Sequence, residues 1–279
     1  MNDYVSHLSL CAGLGGIDLG LRSVVRNLHT VAMVEREAFV IANLVEKMDE
    51  GWLDPAPIYA DLLRFPWQRF RGRVDIVSGG IPCQPFSGAG SRKATEDERH
   101  LWPIVRSGIA ILEPRVCFFE NVDGIVTAKS PGYHSVLHHV LSDLEEMGFR
   151  ATAGRFSAAE VGATHKRMRW FILADSDCGG GRQNKQHRKL RSKGTEQSPV
   201  NPRDTSSLAT EQVEGWPAGP EQEQHPWEEP RTTKSGLGRA DDGFSTRVDR
   251  LRSLGNSVVP AVAAKAFSTL WWRLHEQTT

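Results

Sequence analysis

Residues 7–174 alternate between short apolar segments and longer amphipathic segments, and this alternation constrains the fold more than any other feature of the chain. The segment 134–147 is typical of the second kind, because its aliphatic residues fall on one face of a helix. The pattern predicts strands at 7–11, 31–35, 74–78, 116–120, 150–156 and 169–174, and helices at 16–27, 36–48, 101–113 and 134–147. Strands that alternate with helices form a mostly parallel sheet with helices on both faces, so we expect the α/β class.

After the last predicted strand the composition changes. Residues 175–247 are rich in Gly, Pro, Gln, Arg and Glu and show no sustained helix or strand period. Such a segment buries little apolar surface and can stay loose without a partner. A regular pattern returns towards the C-terminus, where 260–274 is predicted to be an amphipathic helix. The predicted units are therefore a main domain, a short variable segment and a C-terminal segment, at 1–174, 175–247 and 248–279.

The overall composition excludes several classes of protein. The 279 residues carry a formal net charge of zero, and 39% of them are hydrophobic, which is ordinary for a globular protein with one sizeable core. The sequence has neither a membrane-spanning window nor a signal peptide, so we expect a cytoplasmic location without membrane contact. Four cysteines do not form a secreted disulfide pattern, and no Cys/His cluster has zinc spacing, so no metal is expected.

One cysteine occurs where a predicted strand gives way to a loop rich in glycine and proline. Residues 79–87 read GGIPCQPFS and follow the apolar run 74–77. In open α/β sheets, ligands bind beyond the carboxyl ends of the strands. A free cysteine is most often a small buried hydrophobe. Taken alone, Cys83 is therefore either a packing residue or a nucleophile.

Two further predicted strands carry charged residues at their ends. The strand 116–120 ends in Glu120 and is followed by Asn121, whereas Arg167 and Arg169 lead into the last predicted strand. Alternate residues of an extended chain share a face, so we expect the two arginines to point the same way. A nucleophile, an acid and two cations at strand ends make a catalytic site plausible.

The first predicted strand is followed by a glycine-rich turn, residues 11–16, which reads CAGLGG and opens a helix. Glycines allow the backbone to turn sharply and to approach a ligand closely. Glu35 ends the second predicted strand about 20 residues later, where a carboxylate can accept the hydroxyls of a ribose. The Asp61 carboxylate can accept a hydrogen bond from the exocyclic amine of adenine. Each feature alone is also compatible with an ordinary turn or surface acid, but together they predict an adenosine pocket.

With the sequence GNSVVP at 255–260, these motifs resemble the cytosine carbon-5 DNA methyltransferase family, over 1–174 and 241–275 and in the family's order. The resemblance implies a Rossmann-like methyltransferase sheet, a small irregular target-recognition segment at 175–247, and S-adenosylmethionine as the cofactor. It implies cofactor contacts from Ala12, Gly13, Leu14, Gly15, Gly16, Glu35, Asp61, Pro82, Asn256, Ser257 and Val258. The chain departs from the family at Cys11, where a phenylalanine usually packs near the adenine, and at Arg36, where an acidic or aromatic residue is usual.

The resemblance also implies the catalytic roles. Cys83 would add to carbon 6 of cytosine, which makes carbon 5 nucleophilic enough to accept a methyl group. Glu120 would donate a proton or a hydrogen bond to ring nitrogen 3, while Arg167 and Arg169 would hold the pyrimidine carbonyl and a nearby phosphate. The target base would leave the duplex to reach this pocket. Substrate contacts are also expected from Gln84, Ser87, Asn121 and His165, the last of which stands where the family has glutamine.

We therefore predict a DNA (cytosine-5) methyltransferase that acts on duplex DNA as a monomer, in a restriction–modification system or a phage. Two alternatives stay open. An RNA methyltransferase would use the same chemistry on tRNA, and the variable segment favours DNA only modestly. A non-catalytic binder of cofactor or nucleic acid is disfavoured because all four catalytic residues are present, namely Cys83, Glu120, Arg167 and Arg169.

Overall fold

The computed structural model describes residues 4–81, 101–128, 130, 132–177 and 257–276. The strands of these residues are β1 (Val5–Leu10), β2 (Leu28–Val34), β3 (Ile58–Tyr59), β4 (Ile76–Gly80), β5 (Val116–Asn121), β6 (Arg150–Ser157) and β7 (Met168–Asp175). The α-helices are α1 (Gly16–Val24), α2 (Ala38–Asp49), α3 (Trp102–Leu112), α4 (Val136–Glu146) and α5 (Pro260–Glu276). None of these described helices combines the length and apolar character needed to cross a bilayer.

The described strands form one seven-stranded sheet in the order β3-β2-β1-β4-β5-β7-β6. Parallel pairs join β1 to β2, β1 to β4, β2 to β3 and β4 to β5. Strand β7 runs antiparallel to both β5 and β6. The predicted mostly parallel α/β sheet is confirmed, with two antiparallel pairings at one end. This reversal brings the start of β7 to the same edge of the sheet as the carboxyl ends of β1, β2, β4 and β5.

The sheet is buried on both faces because successive side chains of a strand point in opposite directions. In β5, Cys117 and Phe119 belong to the apolar core that also contains residues of α3 and α4. Val116 and Phe118 belong to the core that contains residues of α1 and α5. The predicted cover of helices on both faces is confirmed, and it explains why β5 reads as an unbroken apolar run.

Some boundaries differ from the predicted ones because local geometry overrides the hydrophobic pattern. Strand β4 is displaced two residues beyond the predicted 74–78, since the two glycines after the apolar run continue the ladder with β5. Helix α1 ends at Val24 rather than at 27, because the residue that follows is already extended. Strand β3 was not predicted, since two residues are too few to show a period. Most of the predicted variable segment 175–247 lies outside the described residues.

Candidate active site

The turn after β1 bends the backbone sharply, as the glycine pattern predicts. Cys11, Gly13 and Gly15 all have positive φ angles, of 49°, 54° and 76°. Two backbone hydrogen bonds hold the turn in place. The amide of Gly15 donates to the carbonyl of Ala12 within the turn, and the amide of Ala12 donates to the carbonyl of Val34 in β2. A methyl group added at Gly13 would meet no atom within 4 Å, so open space lies beside the turn.

Glu35 follows β2 directly and its carboxylate organises this turn. One oxygen accepts the amide of Gly13 at 2.8 Å, and the other accepts the amides of Arg36 and Glu37 at 2.8 and 3.0 Å. An ionised carboxylate offers about four acceptor sites, so these bonds leave about one for a ligand hydroxyl. The buried carboxylate therefore fits the predicted contact with a ribose and also holds the backbone that a cofactor would approach.

Asp61 lies at the same edge of the sheet as Glu35. The amide of Glu35 donates to the carbonyl of Tyr59 in β3, and Asp61 follows two residues later. The Asp61 carboxylate accepts the amide of Leu63 at 2.8 Å and so caps a short 3₁₀ helix at Leu62–Arg64. Its side chain also pairs with the exposed Arg64 at 3.5 Å but is still 44% exposed, so the carboxylate can accept a hydrogen bond from an amine. The residues present in this half of the site therefore fit an adenosine group.

Neither of the two cysteines that the structure describes is activated as a nucleophile. Burial, together with the Glu35 carboxylate, raises the pKa of Cys11 to about 12, although Arg36 acts in the opposite direction. Burial raises the pKa of Cys117 as well, and Asp175 adds to this effect. A thiolate rather than a thiol is the reactive form, so both side chains are inert near neutral pH. Cys83 and the neighbouring predicted residues Pro82, Gln84 and Ser87 lie outside the described residues.

Glu120 and Arg169 form a buried ion pair at the edge where β5 ends and β7 begins. The Glu120 Oε1 atom lies 2.7 Å from Arg169 Nε. Burial raises the pKa of Glu120 to about 7, while Arg169 and then Arg167 act to lower it. A carboxyl group with this pKa is half protonated near neutrality and can therefore act as an acid or a base there.

The two arginines face Glu120 from the start of β7, but their other contacts differ. Arg169 Nη1 donates to the carbonyl of Met168 at 2.8 Å. Arg167 Nη2 donates to the carbonyl of Ser257, in the segment before α5. Burial, and then the neighbouring Arg169, lowers the pKa of Arg167, whereas Glu120 raises it. The structure thus brings together Glu120, Arg167 and Arg169, because the antiparallel pairing of β5 and β7 places the end of one strand beside the start of the other.

Asn121 contacts the chain that leads to the predicted nucleophile. Its Nδ2 atom donates to the carbonyl of Ile81 at 2.9 Å, and its Oδ1 atom accepts the amide of Val122 at 2.9 Å. Ile81 is the last described residue before the loop that contains Cys83.

His165, also predicted to contact the substrate, is exposed on the connection between β6 and β7. Asn256 lies outside the described residues.

Gly80 belongs to the candidate site, although the sequence pattern places it in the loop after the predicted strand. It lies opposite Glu120 in the ladder between β4 and β5. A side-chain carbon at Gly80 would lie 3.3 Å from Glu120 Oε2, so the glycine keeps space beside the carboxyl group. The sequence signal for this role is the pair of glycines directly after an apolar run. Glycine within a strand often marks a place where a ligand approaches the backbone closely.

Comparisons with known sequences give a consistent result. A family model described as C-5 cytosine-specific DNA methylase matches residues 5–222. The chain is 31% identical over 168 residues to Type II methyltransferase M.AplI of Arthrospira platensis, which covers 60% of this chain and 44% of that protein. It is 32% identical over 168 residues to Type II methyltransferase M.CviJI of Paramecium bursaria Chlorella virus IL3A, covering 60% and 42%. The chain spans about half the length of the curated relatives it matches.

Solved structures with the same fold include S. pombe Dnmt2 methyltransferase. The match has a TM-score of 0.58 at 16% identity and covers 97% of this chain and 99% of that one. A Spodoptera frugiperda DNMT2 structure matches with a TM-score of 0.51 at 19% identity, covering 69% and 54%. At these identities the likeness supports the methyltransferase fold and nothing finer.

Proposed function

Because the chain belongs to the C-5 cytosine-specific DNA methylase family, we propose that it transfers a methyl group from S-adenosylmethionine to carbon 5 of cytosine in duplex DNA. The observation that carries this proposal is the buried carboxyl group of Glu120, whose pKa is raised to about 7 beside Arg169. It lies at the same sheet edge as the open turn and the Glu35 carboxylate. This transfer requires an acid and an adenosine pocket at one edge of the sheet, together with the Cys83 nucleophile.

The turn after β1 and the two acids that follow β2 and β3 are proposed to hold the cofactor. Gly13 leaves open space at the backbone, Glu35 has acceptor capacity for a ribose hydroxyl, and Asp61 is suited to the adenine amine. When bound, S-adenosylmethionine supplies an electrophilic methyl group on a sulfonium. The protein's part on this side is to orient that methyl group towards the pyrimidine.

The pyrimidine half of the site is proposed to activate the ring. The Cys83 thiolate forms a bond to carbon 6 while Glu120 donates a proton to nitrogen 3, so the added electron pair makes carbon 5 nucleophilic. Carbon 5 would then accept the methyl group that bound S-adenosylmethionine would supply, and the electron pair of the broken carbon–sulfur bond would remain on the donor sulfur. A base then removes the proton from carbon 5, the Cys83 thiolate leaves carbon 6, and nitrogen 3 returns its proton to Glu120.

Duplex DNA is the proposed substrate, and the target cytosine is proposed to be flipped out of the helix because carbon 6 is inaccessible within the stack. The relatives named Type II methyltransferases support a role beside a restriction enzyme. Residues 175–247 occupy the proposed position of target recognition, and the chain is proposed to act as a cytoplasmic monomer.

Transfer of tritiated methyl groups tests the proposal. Wild-type protein, Cys83→Ser and the matched control Cys178→Ser are incubated with labelled S-adenosylmethionine and either duplex DNA or tRNA. We expect label in DNA with the wild type and the control, and none with Cys83→Ser, because serine is a far weaker nucleophile than a thiolate. Label in tRNA alone would instead support an RNA methyltransferase, and label in neither would support a non-catalytic binder.

A further inference from the structure

The segment Ser257–Val259, just before α5, lies between the two halves of the proposed site. On one side it contacts α1, because a methyl group added at Gly16 would overlap the carbonyl oxygen of Val258. One turn further along α1, a methyl group at Gly20 would lie 2.6 Å from the carbonyl oxygen of Pro260. The two glycines therefore let this segment and the first residue of α5 pack directly against the first two turns of α1, which begins where the proposed cofactor turn ends.

On its other side the same segment is held by Arg167. The Arg167 Nη2 atom donates to the carbonyl of Ser257, across 90 positions of sequence. Arg167 is half-buried and interacts electrostatically with Glu120 and Arg169 in the proposed pyrimidine half. A hydrogen bond from a charged donor is stronger than one between neutral groups, and partial burial strengthens it further.

We infer that Arg167 is a positioning residue that sets the segment Ser257–Val259 against the cofactor turn and so couples cofactor binding to binding of the target nucleotide. This inference rests on the proposed function. The Arg167 guanidinium is permanently charged, so while it holds the Ser257 carbonyl its positive charge still attracts a carbonyl or phosphate of the nucleotide. The coupling follows because Arg167 donates a hydrogen bond to this segment and also interacts electrostatically with Glu120 in the proposed pyrimidine half.

Cofactor affinity measured without nucleic acid tests this role. Full-length wild type and the variants are titrated with S-adenosylmethionine by calorimetry. Arg167→Met is expected to raise the Kd by about 10-fold or more, within the usual range of coupling between sites. Arg167→Lys, which keeps a cation able to donate to the carbonyl, is expected to fall between Arg167→Met and wild type.

The matched control is Arg155→Met on the neighbouring strand β6. Arg155 is paired with the exposed Asp123, so its loss removes the same charge and is expected to change the Kd by less than about 2-fold. Circular dichroism and thermal unfolding establish that each variant is folded. An unchanged Kd in folded Arg167→Met would overturn the inference while leaving the proposed function intact. Wild-type protein that bound no S-adenosylmethionine would contradict the proposed function, and this inference with it.

A second readout separates coupling from a general structural effect. Binding of a cytosine-containing duplex is measured with and without S-adenosylhomocysteine. By linkage, if the cofactor raises the affinity for DNA, then DNA raises the affinity for the cofactor by the same factor. The tightening is expected to be smaller in Arg167→Met than in wild type and Arg155→Met. Equal tightening in all three proteins would overturn the inference.

Discussion

Replacement of Glu120 by glutamine is expected to lower the rate constant of methyl transfer by about 100- to 10,000-fold, the usual contribution of general acid catalysis. The amide keeps the size of the side chain and can donate a hydrogen bond to nitrogen 3, but it cannot deliver a proton. It also loses the charge that pairs with Arg169 at 2.7 Å. Single-turnover kinetics on duplex DNA with saturating cofactor measure this step directly.

Asp123→Asn is the matched control for Glu120→Gln. Asp123 begins a short 3₁₀ helix three residues after Glu120 in the chain, and its half-exposed carboxylate pairs with Arg155. Loss of an exposed ion pair changes stability by at most about 1 kcal/mol, so this variant should transfer methyl groups at close to the wild-type rate. A Glu120→Gln protein that is as active as Asp123→Asn would contradict the role assigned to Glu120.

The pKa of Glu120 also predicts the direction of the pH dependence. Burial raises this pKa to about 7, so the protonated form that can act as an acid is lost as the pH rises through that value. The transfer rate should therefore fall on the alkaline side, between about pH 7 and 9, and this fall should be absent in Glu120→Gln. Because the pKa of Glu120 is higher in the folded protein than in the unfolded chain, protonation of this group also stabilises the fold. This contribution to the free energy of unfolding is fully present below the pKa that Glu120 has in the unfolded chain, and it is lost as the pH rises through about 7.

Phe118→Ala is expected to lower the free energy of unfolding by about 3–5 kcal/mol, as is usual when a buried aromatic ring is removed. Phe118 is completely buried at the centre of β5. Its ring stacks on Phe171 of β7 with centroids 5.4 Å apart and meets Phe267 of α5 edge-on at 5.3 Å. The substitution therefore leaves a cavity where the sheet and the C-terminal helix are joined. Urea unfolding followed by circular dichroism measures the loss.

The control for this prediction is Trp52→Ala. Trp52 is also a large aromatic residue, but it is 62% exposed, and surface substitutions usually change stability by less than about 0.5 kcal/mol. The two variants together separate loss of core packing from loss of an aromatic residue as such. A Phe118→Ala protein as stable as Trp52→Ala would show that α5 and the sheet do not share this core.

The parts of the fold that could be predicted are those that depend on burial. Strand β5 is buried on both faces, so its apolar run is continuous and its boundaries were predicted within one residue. The glycine-rich turn after β1 was recognisable because Gly13 and Gly15 take positive φ angles that other residues avoid. Glu120, at the end of the same buried run, could be identified as a candidate acid for the same reason.

The parts that could not be predicted depend on contacts between distant segments. The Glu120–Arg169 pair requires the antiparallel register of β5 and β7, which no local pattern encodes. The hydrogen bond from Arg167 to Ser257 joins residues 90 positions apart, and its acceptor is a backbone carbonyl that has no sequence signature. Likewise, the strand β3 lasts two residues and exists only because β2 provides a partner.

Covalent trapping tests the central claim, that a cysteine thiolate bonds to the cytosine ring during transfer. Duplex DNA with 5-fluorocytosine at the target position is incubated with the protein and S-adenosylmethionine. Fluorine cannot leave carbon 5 as a proton does, so elimination stops and the adduct should accumulate as a complex that survives denaturant. We expect such a complex with wild type, with the DNA attached to Cys83, and none with Cys83→Ser. Methylation of ordinary DNA by a protein that never forms this complex would contradict the mechanism.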